Sequence, residues 1–485
     1  MARQTVLLVN SNLMQPPVAP LALDYLAQAV EETGFRAEVL DLCFSPDYAG
    51  TIGERLAGDD VAAVAVTFRN IDDSSLVTSR SFLPQLKSIV DCLRAKTDAP
   101  LVLGGSGFSV MPEAVLGYCQ VELGVWGEGE YSLPLLLQRI AGGDDFYDVP
   151  ALVYRSGDGF GRNAPHYLDL GTLPVPHRTF VDNRRYFDEG GMNCLETKRG
   201  CPMECIYCVD PVCKGKKTRL RDPASVASEI EALLSQGVDH LHLCDSEFNI
   251  PLSHAEEVCS EIVSRGLGDR VRWYTYASPV PFSRDLASLM KRAGCVGINF
   301  GVDSGCDRIL KTLGRDFTVD DLRSTAGICR ETGLICMYDL LLGGPGETRE
   351  SLKETVEAMK DIAPDRVGAA LGVRVYLRTR LADMVHAEGP LSSNPNLHGV
   401  VGEDPDFAMP LFYVSRDLGE EPLQYLARLV GDDERFFLHN PEAGDQNYNY
   451  DDNMVLVNAI RKGYRGAFWD ILRRLADTPS GEGTA

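Results

Sequence analysis

At 485 residues the chain is too long for one hydrophobic core, and two or three domains are expected. A hydrophobic content of 44% with 24% charged residues suits a globular protein in water, and no apolar run approaches the ~18 residues of a bilayer span. A net charge of −23 with no basic stripe to offset it excludes a nucleic-acid backbone as main partner. The opening MARQTVLLVNSNLMQPP lacks a signal peptide's apolar segment and cleavage site, so it reads as a buried strand of a cytoplasmic protein. In that reducing compartment fourteen cysteines are expected as core filler or metal ligands, with Cys43, Cys92, Cys119, Cys259 and Cys329 as filler.

Apolar runs at 5–9, 37–42, 61–66, 100–105 and 121–127 read as strands covered on both faces, with helical patterns between them. Leu23, Leu26, Ala27 and Val30 share one face of the first helix. Over 1–150 this alternation predicts an α/β unit with a doubly wound, five-stranded parallel sheet. Such sheets bind ligands beyond the carboxyl ends of their strands, which singles out 10–15, 67–73, 104–108 and 127–131. Residues 151–190 are loop-rich and read as a linker. Over 191–385 the alternation resumes, with strands at 193–198, 240–245, 271–276, 296–301, 334–342 and 367–376. Among the intervening helices, DPASVASEIEALLSQG opens on an N-capping Asp222 with proline behind it and closes at Gly237. Six βα units predict a partial (β/α)6 barrel, its working end again at the C-terminal rim. Residues 386–485 lose the repeat and read as a small α-rich cap.

The stretch KRGCPMECIYCVD (198–210) places Cys201, Cys205 and Cys208 on the loop after the first barrel strand. Three thiolates can hold three irons of a [4Fe–4S] cube and leave the fourth iron open for chemistry. A structural zinc would need a fourth ligand, Cys194 or Cys213, at awkward spacing, and a thioredoxin-like site would use two cysteines. The basic run CKGKKTRLR at 213–221 follows at once, either as a solvated loop or as a clamp for an anionic ligand.

The motif Cys201-Pro-Met-Glu-Cys205-Ile-Tyr-Cys208 resembles the signature of the radical S-adenosylmethionine superfamily, over 190–385. The resemblance implies that the open iron binds the amino and carboxylate groups of S-adenosylmethionine, with Tyr207 near the adenine. By the same resemblance Asp245, Ser246 and Glu247, after the second strand, meet its amino group. Asp303 and Ser304, after the fourth, meet ribose and carboxylate, and Arg374 lies on the segment similar to the sixth strand of related enzymes. GGPGET (343–348) reads as a turn that needs no phosphate to explain it.

In the first domain, LGGSGFSVMPE (103–113) and GVWGEGEYSLPLLL (124–137) resemble loops of the cobalamin-binding domains fused to radical S-adenosylmethionine enzymes. This implies cobalamin contacts from Gly104, Gly105, Ser106, Gly107, Gly127, Glu128, Gly129 and Glu130. Glycines let a backbone approach a bulky nucleotide closely, and helix N-termini suit its phosphate. The alternative is a doubly wound sheet that serves only as a structural or docking domain. The chain has no histidine before His166 to ligate cobalt from below. Arg69 or Asn70 on the third-strand loop is expected there instead, unless Arg69 pairs with Asp72 or Asp73. Arginine has no lone pair for a metal.

Together the resemblances imply a cobalamin- and [4Fe–4S]-dependent enzyme that methylates a poorly activated carbon of a small molecule, methyl passing from S-adenosylmethionine through methylcobalamin. A flavodoxin- or ferredoxin-type low-potential donor is implied as partner. The route is either radical or, as in the related tryptophan 2-C-methyltransferases, polar, with a base among Tyr274, Tyr276, Tyr338 and Tyr376. The substrate is expected between the two domains, under a C-terminal cap whose stretch 444–472 could line the pocket. The alternatives are cyclisation or rearrangement without methyl transfer, RNA methylthiolation (which would need a second cysteine trio), and a sensor using cobalamin alone.

Overall fold

The computed structural model describes residues 3–58, 61–399, 407–438 and 452–477. Valine-, leucine- and alanine-rich runs make β1 (Thr5–Asn10), β2 (Arg36–Asp41), β3 (Val61–Thr67), β4 (Leu101–Gly104) and β5 (Leu123–Val125). They are parallel in the order 2-1-3-4-5, the doubly wound arrangement expected. The helix Leu21–Glu32 buries Leu23, Ala27 and Val30 against it. Two antiparallel strands, β6 (Leu152–Ser156) and β7 (Gly159–Arg162), extend the sheet beyond β5. The expected linker over 151–190 therefore opens as sheet. Gly157, at φ +59°, turns this hairpin, a turn signal that a loop reading of RSGDGFGRN passes over.

The second sheet begins at β8 (Asn193–Leu195). A short antiparallel ribbon follows, β9 (Lys198–Arg199) with β10 (Arg219–Leu220). Next come β11 (His240–Leu243), β12 (Arg272–Ala277), β13 (Cys295–Asp303), β14 (Ile335–Leu342) and β15 (Arg366–Leu371), all parallel and in chain order from β8. The C-terminal region is helical, with helices Pro422–Val430, Met454–Arg461 and Phe468–Ala476. It also adds sheet. The strands β16 (Val373–Arg374), β17 (Leu397–Gly399) and β18 (Leu411–Tyr413) form an antiparallel ribbon, and β19 (Phe436–Leu438) joins β15 as a seventh parallel strand. The edges β8 and β19 do not pair, so the barrel stays open. No helix among the described residues is long and apolar enough to cross a membrane.

The last helix does not cover the C-terminal rim. Trp469 lies edge-on to Tyr274 and against Gly297, and Tyr274 Oη donates to Asp470 at 2.9 Å. Met192, Val296, Ile335 and Phe437, all at the starts of their strands, pack around the same cluster. The helix Phe468–Ala476 thus closes the barrel floor, opposite the expected pocket, whereas Asp452, earlier in the stretch 444–472, pairs with Arg80 after β3 at 2.7 Å; residues 444–451 lie outside the described residues.

Arg178, wholly buried, joins the two sheets. Its Nε donates to Asp24 on the first helix (2.9 Å), and its Nη1 to Glu229 on the helix Pro223–Ser235 (2.7 Å) and to Cys194 O (3.0 Å). Its Nη2 donates to Asn183 and Asn193 at 3.0 Å each, so all five N–H groups are met. Buried charges persist only when so completely partnered. Arg178→Leu would strip Asp24 of its buried counter-charge and leave Glu229 with Arg221 alone, at an expected cost of about 3–5 kcal/mol. A melting temperature within about 2 °C of the wild type would contradict that role.

Candidate functional site

The cysteine loop runs between β9 and β10, and backbone bonds hold it at several points. Cys201 N donates to Gly215 O (3.1 Å), Ile206 N to Leu313 O (3.0 Å) and Leu381 N to Ile206 O (2.8 Å). Gly314 is required beside it: its φ is +81°, and a Cβ would strike Glu204 O. Cys201 is buried, with Cys205 and Cys208 partly so. Burial raises all three thiols, Cys205 to about 12, and each of the latter two feels the charge of its neighbours. Arg315 opposes this at Cys205, where Nη1 donates to the sulfur at 3.1 Å. Among the described residues no three His, Cys, Asp or Glu side chains converge on one ion position. A zinc ion would need that convergence, whereas a cube takes each thiolate on a different iron.

Tyr207, Glu247 and Asp303 gather round Arg315 beside the trio. Asp303 Oδ2 accepts from Tyr207 Oη (2.6 Å) and Arg315 Nε (2.5 Å), and Arg315 lies 3.9 Å from Glu247. Asp303 holds a left-handed backbone, φ +67°, a strain that clusters at ligand sites. Burial pushes Glu247 up to about 7, and its Oε2 is enclosed without a hydrogen-bond partner. Arg315 was not anticipated: an arginine following a helix-ending glycine carries no motif.

The other residues expected at S-adenosylmethionine are engaged within the protein. Asp245 accepts from Thr197 N (2.7 Å) and Oγ1 (2.5 Å), tying the ends of β8 and β11 together. Ser246 donates to Asp210 (2.5 Å), and the enclosed Ser304 bonds Thr355 (3.0 Å). Arg374 pairs with Asp72 at 2.7 Å and donates to the carbonyls of Val375, Leu411 and Phe407.

On the first sheet the glycines receive the protein's own backbone. A Cβ on Gly105 would lie 2.7 Å from Phe68 O, and one on Gly107 would lie 2.9 Å from the Asn70 carbonyl carbon. Gly104 packs under Val125 and Gly129 against Leu26, while Ser106 Oγ donates to Arg69 O (2.8 Å). Gly127 is more open, its nearest neighbour 3.5 Å from a Cβ. Glu128 pairs with Arg219 and Glu130 with Arg199, each at 2.5 Å. The basic run at 213–221 is thereby largely neutralised, with Lys214 on Asp210 and Arg221 on Glu229; Lys216 and Lys217 stay exposed.

Arg69 does not form the alternative ion pair. Asp72 goes to Arg374, Asp73 accepts from Thr78 and Arg80 N, and Arg69 has no carboxylate partner among the described residues. Its charge is felt instead at Cys194, His242, Cys244 and Tyr276 on the barrel side. Asn70 Nδ2 rests 3.8 Å from Met14 Sδ. Two enclosed donors on this sheet, Asn12 Nδ2 and Ser132 Oγ, lack partners.

Of the four candidate bases, two are sealed in. Tyr274 bonds Asp470 on the floor, and Tyr338, fully buried, donates to Leu322 O (2.7 Å). Tyr376 bridges to Ser74 at 3.2 Å. Tyr276 alone of the four opens to the cleft, at 44% exposure, its ring tilted on that of His242 at 4.9 Å. Partial burial, with Asp339 beside it, pushes Tyr276 up to about 12, so it stays a donor at neutral pH as an ordinary tyrosine does.

Comparison with known proteins agrees with this geometry. The B12 binding domain matches residues 13–137, and the Radical SAM superfamily matches 195–359. The tryptophan 2-C-methyltransferase of Streptomyces laurentii is 31% identical, over 96% of this chain and 95% of its own length. The radical S-adenosylmethionine methyltransferase TsrM of Kitasatospora setae, with tryptophan and a S-adenosylmethionine analogue bound, superposes with a TM-score of 0.92 at 31% identity, covering 98% of both chains. With cobalamin and a [4Fe–4S] cluster bound, the TM-score is 0.90 at 30% identity. These relatives favour methyl transfer over cyclisation. The donor set here fits such groups: three clustered thiols, an orphaned carboxylate oxygen beside them, and orphaned N–H and O–H donors on the facing sheet.

Burial lowers His242 to about 4, with Arg69 acting in the same direction. The unfolded chain therefore binds the extra proton, so this share of stability is present above about 6.5 and is lost as pH falls toward 4. The melting temperature should fall more steeply over that window in the wild type than in His242→Gln. Parallel profiles would contradict the assignment.

Proposed function

Because the chain belongs to the cobalamin-dependent radical S-adenosylmethionine C-methyltransferases, we propose that it methylates a ring carbon of tryptophan or a close indole by a polar route. Its cofactors are a [4Fe–4S] cluster, S-adenosylmethionine and cobalamin. When bound, cobalamin relays a methyl group from S-adenosylmethionine to a poorly activated carbon, and the cluster seats S-adenosylmethionine.

Cys201, Cys205 and Cys208 would hold the cluster on their pinned loop. Glu247, with its orphaned oxygen, and the Tyr207–Asp303–Arg315 group would orient S-adenosylmethionine next to it. Gly127, Asn12 and Ser132 would meet the corrin and its tail. The observation that carries the polar route is Arg69, a guanidinium without an acid partner in a sheet without a histidine. With cobalamin bound, Arg69 would have no lone pair to offer the metal, and its positive charge would favour an electron-rich one. Replacing a ring hydrogen by methyl releases one proton, and His242, unprotonated at neutral pH and set against the exposed Tyr276 ring, would take it. Exposed Lys216 and Lys217, next to the cysteine loop of an otherwise acidic chain, suit an acidic low-potential donor of the flavodoxin or ferredoxin type in the cytoplasm.

Anaerobically loaded protein given S-adenosylmethionine and tryptophan is expected to yield S-adenosylhomocysteine and a product one methyl heavier, without 5′-deoxyadenosine. If 5′-deoxyadenosine forms in step with product, the route is radical; if no methylated indole forms, the substrate assignment fails. Arg69→His would offer an imidazole lone pair where the guanidinium has none, and single-turnover methyl transfer should slow by about tenfold or more.

A further inference from the structure

Above the Trp469 floor the barrel interior holds a polar pair that the chemistry so far does not use. Ile298 and Phe300 on β13 pack among the helices without exposure, so Asn299 between them points into the barrel. Asn299 Nδ2 donates to Asp339 Oδ2 on β14 at 2.7 Å. That bond fixes the orientation of the amide, since an ionised carboxylate only accepts, and it leaves Oδ1 as an acceptor. Oδ1 has no partner, on a side chain only 4% exposed. Folded chains seldom leave a buried acceptor unmet unless something else meets it. Tyr276, register-paired with Asn299, opens onto the same space beside His242, and the charge of Asp339 is felt there.

We infer that Asn299 and Asp339 form the subsite for the substrate's protonated amine, with its aromatic part lodged along His242 and Tyr276. The inference rests on the indole reading above and adds the recognition of its side chain. Two acceptors, one of them anionic, suit an ammonium group with three N–H donors and a full charge. A ring N–H needs one acceptor, and a carboxylate would be repelled. The ammonium of S-adenosylmethionine is a poor candidate, because Asp303 on the cluster side lies four residues further along β13, roughly 13 Å away.

The test is calorimetric titration of cobalamin- and cluster-loaded protein with L-tryptophan and with indole-3-propionate, the same skeleton without the amine. The wild type should prefer tryptophan. Asp339→Asn should weaken tryptophan by roughly tenfold or more and leave indole-3-propionate within about twofold. Asn299→Leu should give the same selective loss should the first variant fold poorly. Unchanged tryptophan binding in the variants, an equal loss of both ligands, or a wild type that binds neither or both alike overturns the subsite. The preceding proposal fails by a different sign, the absence of a methylated indole when the same loaded wild-type protein receives S-adenosylmethionine and tryptophan.

Discussion

Asp72 and Arg374 meet at 2.7 Å in a buried ion pair where the carboxyl ends of the two parallel sheets face one another. Arg374 also donates to three backbone carbonyls, and Asp72 accepts from Ser74 N, so neither charge is left bare. A pair removed from water holds only with such completeness, and it then resists displacement because each partner alone is costly to bury. The consequence is geometric. The loop carrying Arg69 is fixed over the barrel mouth, and the ligand-binding edges of both sheets open into one cleft. Ligands bound at either rim then lie within reach of each other.

Within that cleft the polar groups divide into two kinds. Glu128, Glu130, Asp245, Ser246 and Ser304 are hydrogen-bonded or ion-paired and set the spacing of loops and strand ends. Arg69 lacks an acid, and Glu247 Oε2, Asn299 Oδ1, Asn12 Nδ2 and Ser132 Oγ are enclosed without partners. Unmet polar atoms are rare in folded proteins because leaving water without compensation costs about 1–3 kcal/mol each. Glu247 lies near Arg315 beside the cysteine trio and Asn299 beside Tyr276, places where ligands would complete the hydrogen bonding.

The parallel strands and the cysteine loop were legible because they rest on local pattern: apolar runs bounded by glycine, and three thiols within eight residues. The hairpin β6–β7 was not, because its strands are short and its turn resembles a linker. Strand β19 and the floor helix were not, because a single strand or amphipathic helix does not state which neighbour it will pack on. Side-chain roles at strand ends were the least legible part. Asp245 and Asp303 occupy equivalent places in the pattern, yet one ties backbone and the other meets Tyr207 and Arg315. Asn299 and Asp339 are forty residues apart, and only the register of β13 on β14 brings them together.

The sealed floor bears on the chemistry of the mouth. Trp469, Tyr274 and Met337 fill the lower end of the barrel with an apolar cluster. Burial moves Tyr276 further above and His242 further below their ordinary values, so both are uncharged near pH 7. With these two uncharged, Asp339 on the barrel wall, Arg69 on the first sheet and, more weakly, Lys214 after the cysteine loop are the formal charges felt at Tyr276. Charges act more strongly across a dry space than across water. A substrate carrying an amine at one end and an electron-rich ring at the other would be aligned by that field before any bond is made, ring toward the facing sheet and amine toward β14.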